Sequence, residues 1–394
     1  MAKEEDIAQD AIERLEFTER KQEDSPAKSF RQLTRRAALT GGAAGIAALA
    51  IEACGGGGTT SSSASTSAAS SSSSSGGSGA AGIFGGSTGY HFVMVNHVTT
   101  NSFFTATIYG IQDACKLTGC SYQWTGSQNS IVNEMVSSFN TAIAGHANGI
   151  GVALIDNTAF NTPVDTALSH GIPVVAYNAD VSPGVKNNRM AYVGQNNLTA
   201  GAAVGQAILN AGIKSGDLVA GIIATPGTGN IQPRLDGAKP ILQKAGVNFV
   251  EVGTSATEGA PEYNKIAAWY AGHQSVKWMM AVDSGDSNAV AEFIKKESLQ
   301  GKVGASVWDV GLPVVQAINA GYVTATIDQQ AYLQGFDPIM QMFLWNVSGG
   351  LMKPTNTDTG LGIVTKKNVT PYLTPNRFEG TSATPKLLAK PSSI

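Results

Sequence analysis

The sequence has few residues of the kinds that support covalent or metal chemistry. Only three of its 394 residues are cysteines and five are histidines. The histidines are scattered, and none lies in an H-x-x-x-H or HExxH arrangement, so we predict no metal site and no cofactor. Charged residues make up 14% of the chain, and its net charge is −3. Because there is neither a basic surplus nor an acidic block, no nucleic-acid partner is expected.

Two of the cysteines, Cys115 and Cys120, lie close together between a predicted helix end and a predicted strand start. Outside the cytoplasmic membrane such a pair can form a disulfide. Two small buried thiols fit the same positions equally well. The sequence leaves both possibilities open.

The first 53 residues have the pattern of an export signal. A twin-arginine stretch at 34–39 precedes a weakly apolar run, Ala37 to Ala53, which has the length of a signal-peptide core and is too short to span a bilayer. Ile51-Glu52-Ala53-Cys54 resembles the lipobox of bacterial lipoproteins, so Cys54 is the predicted lipidation site. The alternative is an uncleaved apolar helix with an incidental cysteine.

Residues 54–89 are a Gly/Ser-rich linker without apolar periodicity. Such a segment cannot bury enough surface to offset the entropy lost on ordering it. Together with the signal, the linker predicts a folded body that is exported, lies in the periplasm or at the cell surface, and is tethered to the membrane by a lipid.

From Tyr90 onward, short apolar runs alternate with stretches of helical periodicity. One such stretch carries Ile131, Met135, Phe139 and Ile143 on one helix face. Nine runs are predicted strands: 91–95, 122–125, 149–155, 173–177, 218–224, 249–252, 278–282, 303–307 and 323–327. This alternation predicts βαβ units, parallel sheets and, because nine strands are many for one sheet, two doubly wound α/β domains.

Ligands of doubly wound sheets bind beyond the carboxyl ends of the strands, so the residues that follow each strand are the candidate site. Planar amides, carboxylates and an arginine can bind pairs of hydroxyls, and aromatic rings pack against sugar C–H faces. This combination predicts a neutral polyol as the ligand and no catalytic residue. The candidates are Asn101, Phe103, Phe104, Asn178, Arg234, Tyr263, Asp283, Trp308, Asp309 and Gln329.

Several candidates also have structural explanations. Asn101 is equally suited to cap a following helix, and Asp283 to form a turn. Phe103 and Phe104 fit a hydrophobic staple, although staples do not usually come as an exposed pair. Arg234 fits a surface salt bridge, but a cation early in a helix opposes the macrodipole, which favours a functional role.

Four stretches resemble the periplasmic sugar-binding proteins of ABC importers, of the ribose/galactose type. Asn101-Ser102-Phe103-Phe104 is similar to the N-x-F-F motif of that family, and 171–180 (GIPVVAYNAD) to its G-I-P-V-V stretch. Residues 230–239 resemble the helix start that carries the sugar-binding arginine. The most diagnostic stretch, 326–338 (TIDQQAYLQGFDP), resembles T-I-D-Q-Q-P-Y-L-Q-G-Y.

The resemblance implies a type I periplasmic binding protein: two Rossmann-like lobes joined by three hinge crossovers, with the ligand cleft between them. We expect an N-terminal lobe of 90–194 and 330–349, and a C-terminal lobe of 195–329 and 350–394. The resemblance also implies a monosaccharide ligand, an ABC permease as partner, and a monomer. Phe103 and Phe104 would then form one wall of the sugar site, with Trp308 or Tyr263 opposite.

Three rival functions share this fold. An enzyme would need a nucleophile–base pair or a metal, and no histidine follows a serine-bearing strand end. A transcription repressor would need an N-terminal helix-turn-helix, where this chain has an export signal. A sensor subunit that feeds a chemoreceptor or kinase would use the same closed form, and the sequence does not separate it from a transport protein.

Overall fold

The computed structural model describes residues 89–255 and 258–388, and these form two α/β lobes. The predicted export signal, Cys54 and nearly all of the Gly/Ser linker lie outside the described residues. Within the described part of the chain, no helix is both long enough and apolar enough to cross a bilayer.

The first lobe is built on a six-stranded sheet made up of β1 (His91–Asn96), β2 (Ser121–Gly126), β3 (Gly149–Val152), β4 (Val174–Tyr177), β5 (Ala191–Gly194) and β11 (Thr357–Asp358). All its strand pairs are parallel, and the order is β11-β5-β4-β3-β1-β2. Apolar clusters cover both faces. One cluster contains α2 (Val132–Ala144) and α3 (Asn161–Ser169), and the other contains α1 (Phe104–Thr118) and α9 (Leu333–Val347).

The second lobe repeats this plan with β6 (Leu218–Ile223), β7 (Asn248–Gly253), β8 (Val276–Ala281), β9 (Gly304–Trp308), β10 (Ala325–Asp328) and β12 (Gly362–Thr365). The order is β12-β10-β9-β8-β6-β7, and only β12 is antiparallel to its neighbour. One face packs on α4 (Asn197–Asn210) and α5 (Gln232–Lys244). The other face packs on α6 (Ala260–Gly272), α7 (Ser284–Lys296) and α8 (Leu312–Ala320).

The predicted architecture is confirmed: each of the nine predicted strands is present, with ends that differ by up to three residues. The predicted helix around Met135 and Phe139 is also present, and both side chains are fully buried. Three further strands, β5, β11 and β12, are not among the nine predicted; each has at most four residues and lies at or near a sheet edge.

The chain crosses between the lobes three times, at 195–196, 329–332 and 359–361. The segment 350–394 is predicted to lie in the second lobe alone, but its described residues, 350–388, are divided between the lobes. Strand β11 pairs with β5 of the first sheet, and Arg377 binds Asp113 of α1. Val364 and Val369, in contrast, belong to the core of the second lobe.

Cys115 is a free, buried thiol, so the disulfide with Cys120 that the sequence left open is not formed in the described structure. Burial raises the pKa of the Cys115 thiol to about 12. The Cys120 N–H donates to the Cys115 carbonyl at 3.0 Å, which closes the end of α1. The alternative of two small buried thiols holds for Cys115 and not for Cys120, which is only partly buried.

Candidate functional site

A cavity of about 110 Å³ lies between the lobes, where the carboxyl ends of strands from both sheets meet. We call it the cleft. This is the position that the doubly wound topology predicts for a ligand. Eight of the ten residues predicted from the sequence line it: Asn101, Phe103, Phe104, Asn178, Arg234, Asp283, Asp309 and Gln329.

Arg234 lies in the first turn of α5, with only 3% of its surface exposed. Its guanidinium donates to Asn197 Oδ1 at 3.0 Å, to the Val282 carbonyl at 2.6 Å and to Gln329 Oε1 at 3.3 Å. Burial lowers its pKa, whereas Asp309 raises it. The arginine keeps its charge, because guanidinium groups do not deprotonate in proteins. Its position early in α5 is therefore stabilised by specific acceptors.

Close packing of α4 against α5 fixes the start of the arginine helix. A Cβ on Gly201 of α4 would lie 2.0 Å from the Arg234 carbonyl oxygen, and a Cβ on Gly237 would lie 2.0 Å from the Leu198 carbonyl oxygen. Only glycine permits this approach of the two backbones. The glycines thus set the depth of Arg234 in the lobe.

Asp309 and Asn178 leave their strands in a left-handed backbone conformation, with φ of 70° and 62°. Few non-glycine residues adopt this conformation, and Asp and Asn tolerate it best. In each case the turn directs the residue after the strand into the cleft. Burial raises the pKa of Asp309 to about 6, although Arg234 and a hydrogen bond from Gln329 oppose the shift. Strained conformations of this kind cluster at binding sites.

A chain of buried polar side chains connects the cleft with two of the three crossovers, 329–332 and 359–361. Asn178 Nδ2 donates to Gln334 Oε1 at 3.0 Å, and Gln334 Nε2 donates to the Gln329 carbonyl at 3.0 Å. Gln329 Nε2 in turn donates to Asp309 Oδ1 at 2.7 Å, and Thr359 Oγ1 donates to the Gln329 carbonyl at 2.8 Å. A change at the cleft is therefore linked by hydrogen bonds to the hinge.

The two adjacent phenylalanines have different environments. Phe103 is half-buried, whereas Phe104 is 2% exposed and belongs to the first-lobe core. Their rings meet edge to face at 4.9 Å, and Phe104 packs in the same way on His97 at 5.5 Å. Phe103 therefore offers the larger apolar surface to the cleft, with Phe104 behind it.

Trp308 and Tyr263 do not line the cleft. Trp308 has no exposed surface, donates from Nε1 to Gln195 Oε1 at 3.0 Å and lies under the Arg234 guanidinium at 5.3 Å. It is the last residue of β9, so its side chain enters the lobe core while Asp309 turns outward. Tyr263 packs on Phe293 of α7 instead. Neither ring forms the expected second aromatic wall.

The wall contributed by the second lobe is polar. Glu262 is 1% exposed and lines the cleft. It precedes Tyr263 on α6, and because successive helix residues are rotated by about 100°, the two side chains face different directions. Burial raises the pKa of Glu262 to about 8. Glu258, Thr225 and Asn230 also line this wall. None of the described second-lobe residues that line the cleft is aromatic.

Two side-chain contacts join the lobes across the cleft. Asn101 Nδ2 donates to Glu258 Oε1, while Asn101 Oδ1 accepts from the Phe103 N–H at 2.8 Å. Asn230 Nδ2 lies 3.4 Å from His97 Nε2. Burial lowers the pKa of His97 to about 4, so its imidazole is neutral near pH 7. Asn101 thus both caps the turn and faces the opposite lobe.

Three carboxylates, Glu262, Asp283 and Asp286, lie within 4.8 Å of one another, the one group in the described part of the chain with metal-ligand spacing. Asp283 accepts from the Asp286 N–H at 3.0 Å and from the Ala224 N–H at 3.1 Å, so it caps α7. Burial raises the pKa values of Glu262 and Asp286. The three carboxyl groups share protons and hydrogen bonds within the second lobe.

Sequence reasoning did not select His97, Asn230, Glu258 or Glu262. His97 directly follows β1 and Asn230 lies in the turn after β6, so the rule of strand carboxyl ends applied to both. Glu258 lies beyond β7, in a connection whose course the sequence pattern does not define. These residues add two carboxyl groups, an amide and an imidazole to the cleft.

Comparison with known proteins supports one family. A protein from Sulfolobus acidocaldarius named xylose/arabinose-binding protein XylF is 41% identical over 313 residues, which cover 76% of this chain and 77% of the relative. A solute-binding protein of an ABC transporter from Burkholderia graminis, solved in complex with D-arabinose, has 25% identity and a TM-score of 0.66, with 72% of this chain and 98% of that chain covered.

The fold recurs in GanP, a glucose-galactose binding protein from Geobacillus stearothermophilus. Its TM-score is 0.64 at 23% identity, and 71% of this chain and 98% of that chain are covered. Residues 92–344 match the periplasmic binding protein domain. On this match, on the XylF relative and on the two-lobed architecture, the chain belongs to the periplasmic binding protein family.

Proposed function

We propose that this protein is the extracytoplasmic substrate-binding component of an ABC importer and that it binds a monosaccharide between its lobes. The observation that carries the proposal is the convergence of Arg234, Asp309 and Gln329 from one lobe with Asn178 and Phe103 from the other on a single cleft. Amides and carboxylates at hydrogen-bonding distance from one another are suited to bind vicinal hydroxyls, and Phe103 is suited to pack on the ring.

The proposed ligand class is an aldopentose. The XylF relative is named for xylose and arabinose, and the Burkholderia protein was solved with D-arabinose. Asn101, Phe104 and Asp283 complete the proposed contacts, with Glu258 and Glu262 on the second-lobe wall. Trp308 and Tyr263 are left out, since neither lines the cleft. Trp308 acts instead as the platform beneath Arg234.

Closure is proposed to couple binding to transport. A ligand that contacts both lobes stabilises the closed form, because only that form makes all the contacts. The closed monomer then docks on the membrane permease. We further propose that twin-arginine export and a lipid on Cys54 hold the protein at the outer face of the membrane. Replacing Cys54 with serine should then release the protein from the membrane fraction.

A thermal-shift screen tests the ligand class. The panel contains D-xylose, both arabinose enantiomers, D-ribose, common hexoses and inositol. We expect at least one pentose to raise the melting temperature in proportion to the logarithm of its concentration. A panel in which only hexoses or cyclitols stabilise the protein would refute the pentose assignment. Unchanged sugar after prolonged incubation would agree with a binding protein, and turnover would indicate an enzyme.

A further inference from the structure

A second cavity, of about 290 Å³, lies beside the cleft and also spans both lobes. Phe103, Ser284, Asp309 and Gln329 line both cavities. The two spaces are therefore neighbours that share a wall, with Phe103 between them. The second space is the larger of the two, but of the residues proposed to bind a monosaccharide it lacks Asn101, Asn178 and Arg234, which line only the cleft.

The walls of the second cavity come from both lobes. One wall is the β9–α8 connection with the apolar side chains of Val310, Leu312 and Pro313. The opposite wall is the start of α1, with Ser102 and Ala106. An apolar wall that faces small side chains leaves room for a flat ring or a short alkyl group.

The C-terminal segment closes the second cavity. Glu379 and Thr381 line it. Arg377 holds this segment on the first lobe through Asp113, with distances of 2.7 Å and 2.9 Å, and Phe378 packs on Tyr332 at 5.1 Å. The C-terminal segment that covers the second cavity is thus held on the same lobe that carries Phe103.

Polar groups of the second cavity suit a hydroxylated, uncharged occupant. Asp309, Asp328 and Glu379 supply carboxyl groups, and none of the described residues lining the cavity is a lysine or an arginine. Burial raises the pKa of Glu379, which favours a protonated carboxyl that can both donate and accept. The Asn288 side chain lines the cavity, and its Oδ1 has no hydrogen-bond partner. An anionic occupant would be repelled.

We propose that the second cavity is a subsite for a neutral substituent attached to the sugar in the cleft, so that the protein also takes pentose disaccharides or pentosides. The inference rests on the proposed function, because the first ring has to occupy the cleft. The attached ring or alkyl group would pack on Phe103 and on the apolar wall of Leu312 and Pro313, and its hydroxyls would bind Glu379 and Asn288.

Calorimetry tests the subsite with a defined panel: free xylose and arabinose, xylobiose, arabinobiose, and the methyl and phenyl glycosides of both pentoses. A substituent that packs on Phe103 should raise affinity over the parent pentose by about tenfold for at least one member. If every member binds more weakly than its parent pentose, the subsite is refuted while the pentose site stands. If nothing in the panel binds, the proposed function fails as well.

A variant that fills the second cavity tests whether the higher affinity for a substituted sugar arises there. Ser102 is exposed, lines the second cavity and does not line the cleft, so Ser102→Trp should remove the gain for the substituted sugar while leaving the parent pentose within about threefold of wild-type affinity. Ser137→Trp, at an exposed position of α2, is the matched control and should change neither affinity. Pro313→Trp fills the second cavity from the opposite lobe, and it replaces Ser102→Trp in the test if Ser102→Trp perturbs the fold. A gain that survives both blocking variants refutes the subsite.

Discussion

Asn101 Nδ2 of the first lobe donates to Glu258 Oε1 of the second lobe, across the mouth of the cleft. Asn101 is held in this orientation because its Oδ1 accepts from the Phe103 N–H at 2.8 Å. Burial and the neighbouring Asp283 raise the pKa of Glu258, whereas the bond from Asn101 lowers it. The pair joins two separately folded lobes at the point where they have to part, so its strength should control release of the ligand.

Asn101→Asp tests this control. The substitution keeps the oxygen that accepts from Phe103 but places a second carboxylate against Glu258, and like charges at this distance repel. We expect the sugar to dissociate about tenfold faster in stopped-flow tryptophan fluorescence, with a smaller change in association rate. Glu258→Gln in the same chain should restore much of the loss, because its amide can donate to the new carboxylate.

Glu251→Gln, at an exposed strand residue outside the cleft, is the matched control for that rescue and should leave the defect of Asn101→Asp unchanged. Equal rescue by both glutamines would mean that net charge alone, and not contact between Asn101 and Glu258, sets the dissociation rate.

The adjacent phenylalanines should give opposite results. Phe103 is half-buried at the cleft, so Phe103→Ala should weaken sugar binding about tenfold and cost the free protein little stability. Phe104 is in the core, and Phe104→Ala should lower the free energy of unfolding by about 3–5 kcal/mol. Urea unfolding without sugar and calorimetry with sugar separate the two effects. Equal stability losses for both variants would contradict the assigned roles.

Replacing Arg234 with lysine should affect both binding and the free protein. Lysine keeps a positive charge near Asp309 but cannot reach all three acceptors of the guanidinium, so buried acceptors would lose their donor. We expect a loss of about 1–3 kcal/mol in unfolding free energy without sugar, the cost of leaving buried acceptors without a donor. Arg189→Lys, whose partner Asp180 lies outside the cleft, keeps a charged hydrogen bond to its single partner and should cost less than Arg234→Lys. Similar losses for the two variants would mean that Arg234 has no special structural role.

His97 gives the protein a pH dependence with a defined sign. Burial lowers its folded pKa from 6.5 to about 4, so the unfolded chain binds the proton first. The stability that His97 contributes is complete above pH 6.5 and is lost as the pH falls from 6.5 through 4, by about 3.4 kcal/mol for the full shift. His97→Gln should flatten unfolding curves between pH 6.5 and 4. His273→Gln, at an exposed position, should leave the pH dependence of unfolding unchanged. If both substitutions flatten the curves equally, the pH dependence does not come from His97.

Periodicity and strand-end chemistry were sufficient to predict both sheets, the position of the cleft and eight of its lining residues. The errors concern pairs of adjacent residues, of which one side chain faces the cleft and the other faces the protein interior. Trp308 and Asp309 are neighbours, yet the last strand residue enters the core and the next one turns into the cleft. On α6, Glu262 faces the cleft and Tyr263 faces α7, which the spacing of apolar residues alone did not distinguish.

The contacts between lobes were the least predictable feature. Asn101 and Glu258 are 157 residues apart, and no local pattern pairs them. The same holds for Arg377, which returns from the second lobe to Asp113 of the first. Such pairs depend on how two finished lobes approach each other, and that approach is determined by packing at the crossovers rather than by the pattern of any one segment.

Calorimetry on one residue from each lobe tests the central claim most directly. Wild-type protein should bind one pentose per chain with micromolar affinity, about −8 kcal/mol. Asp309→Asn in the second lobe and Asn178→Gly in the first, where glycine tolerates the φ of 62°, should each weaken binding at least about tenfold. Wild-type affinity in either variant, or the absence of any pentose binding, would contradict a sugar held between the two lobes.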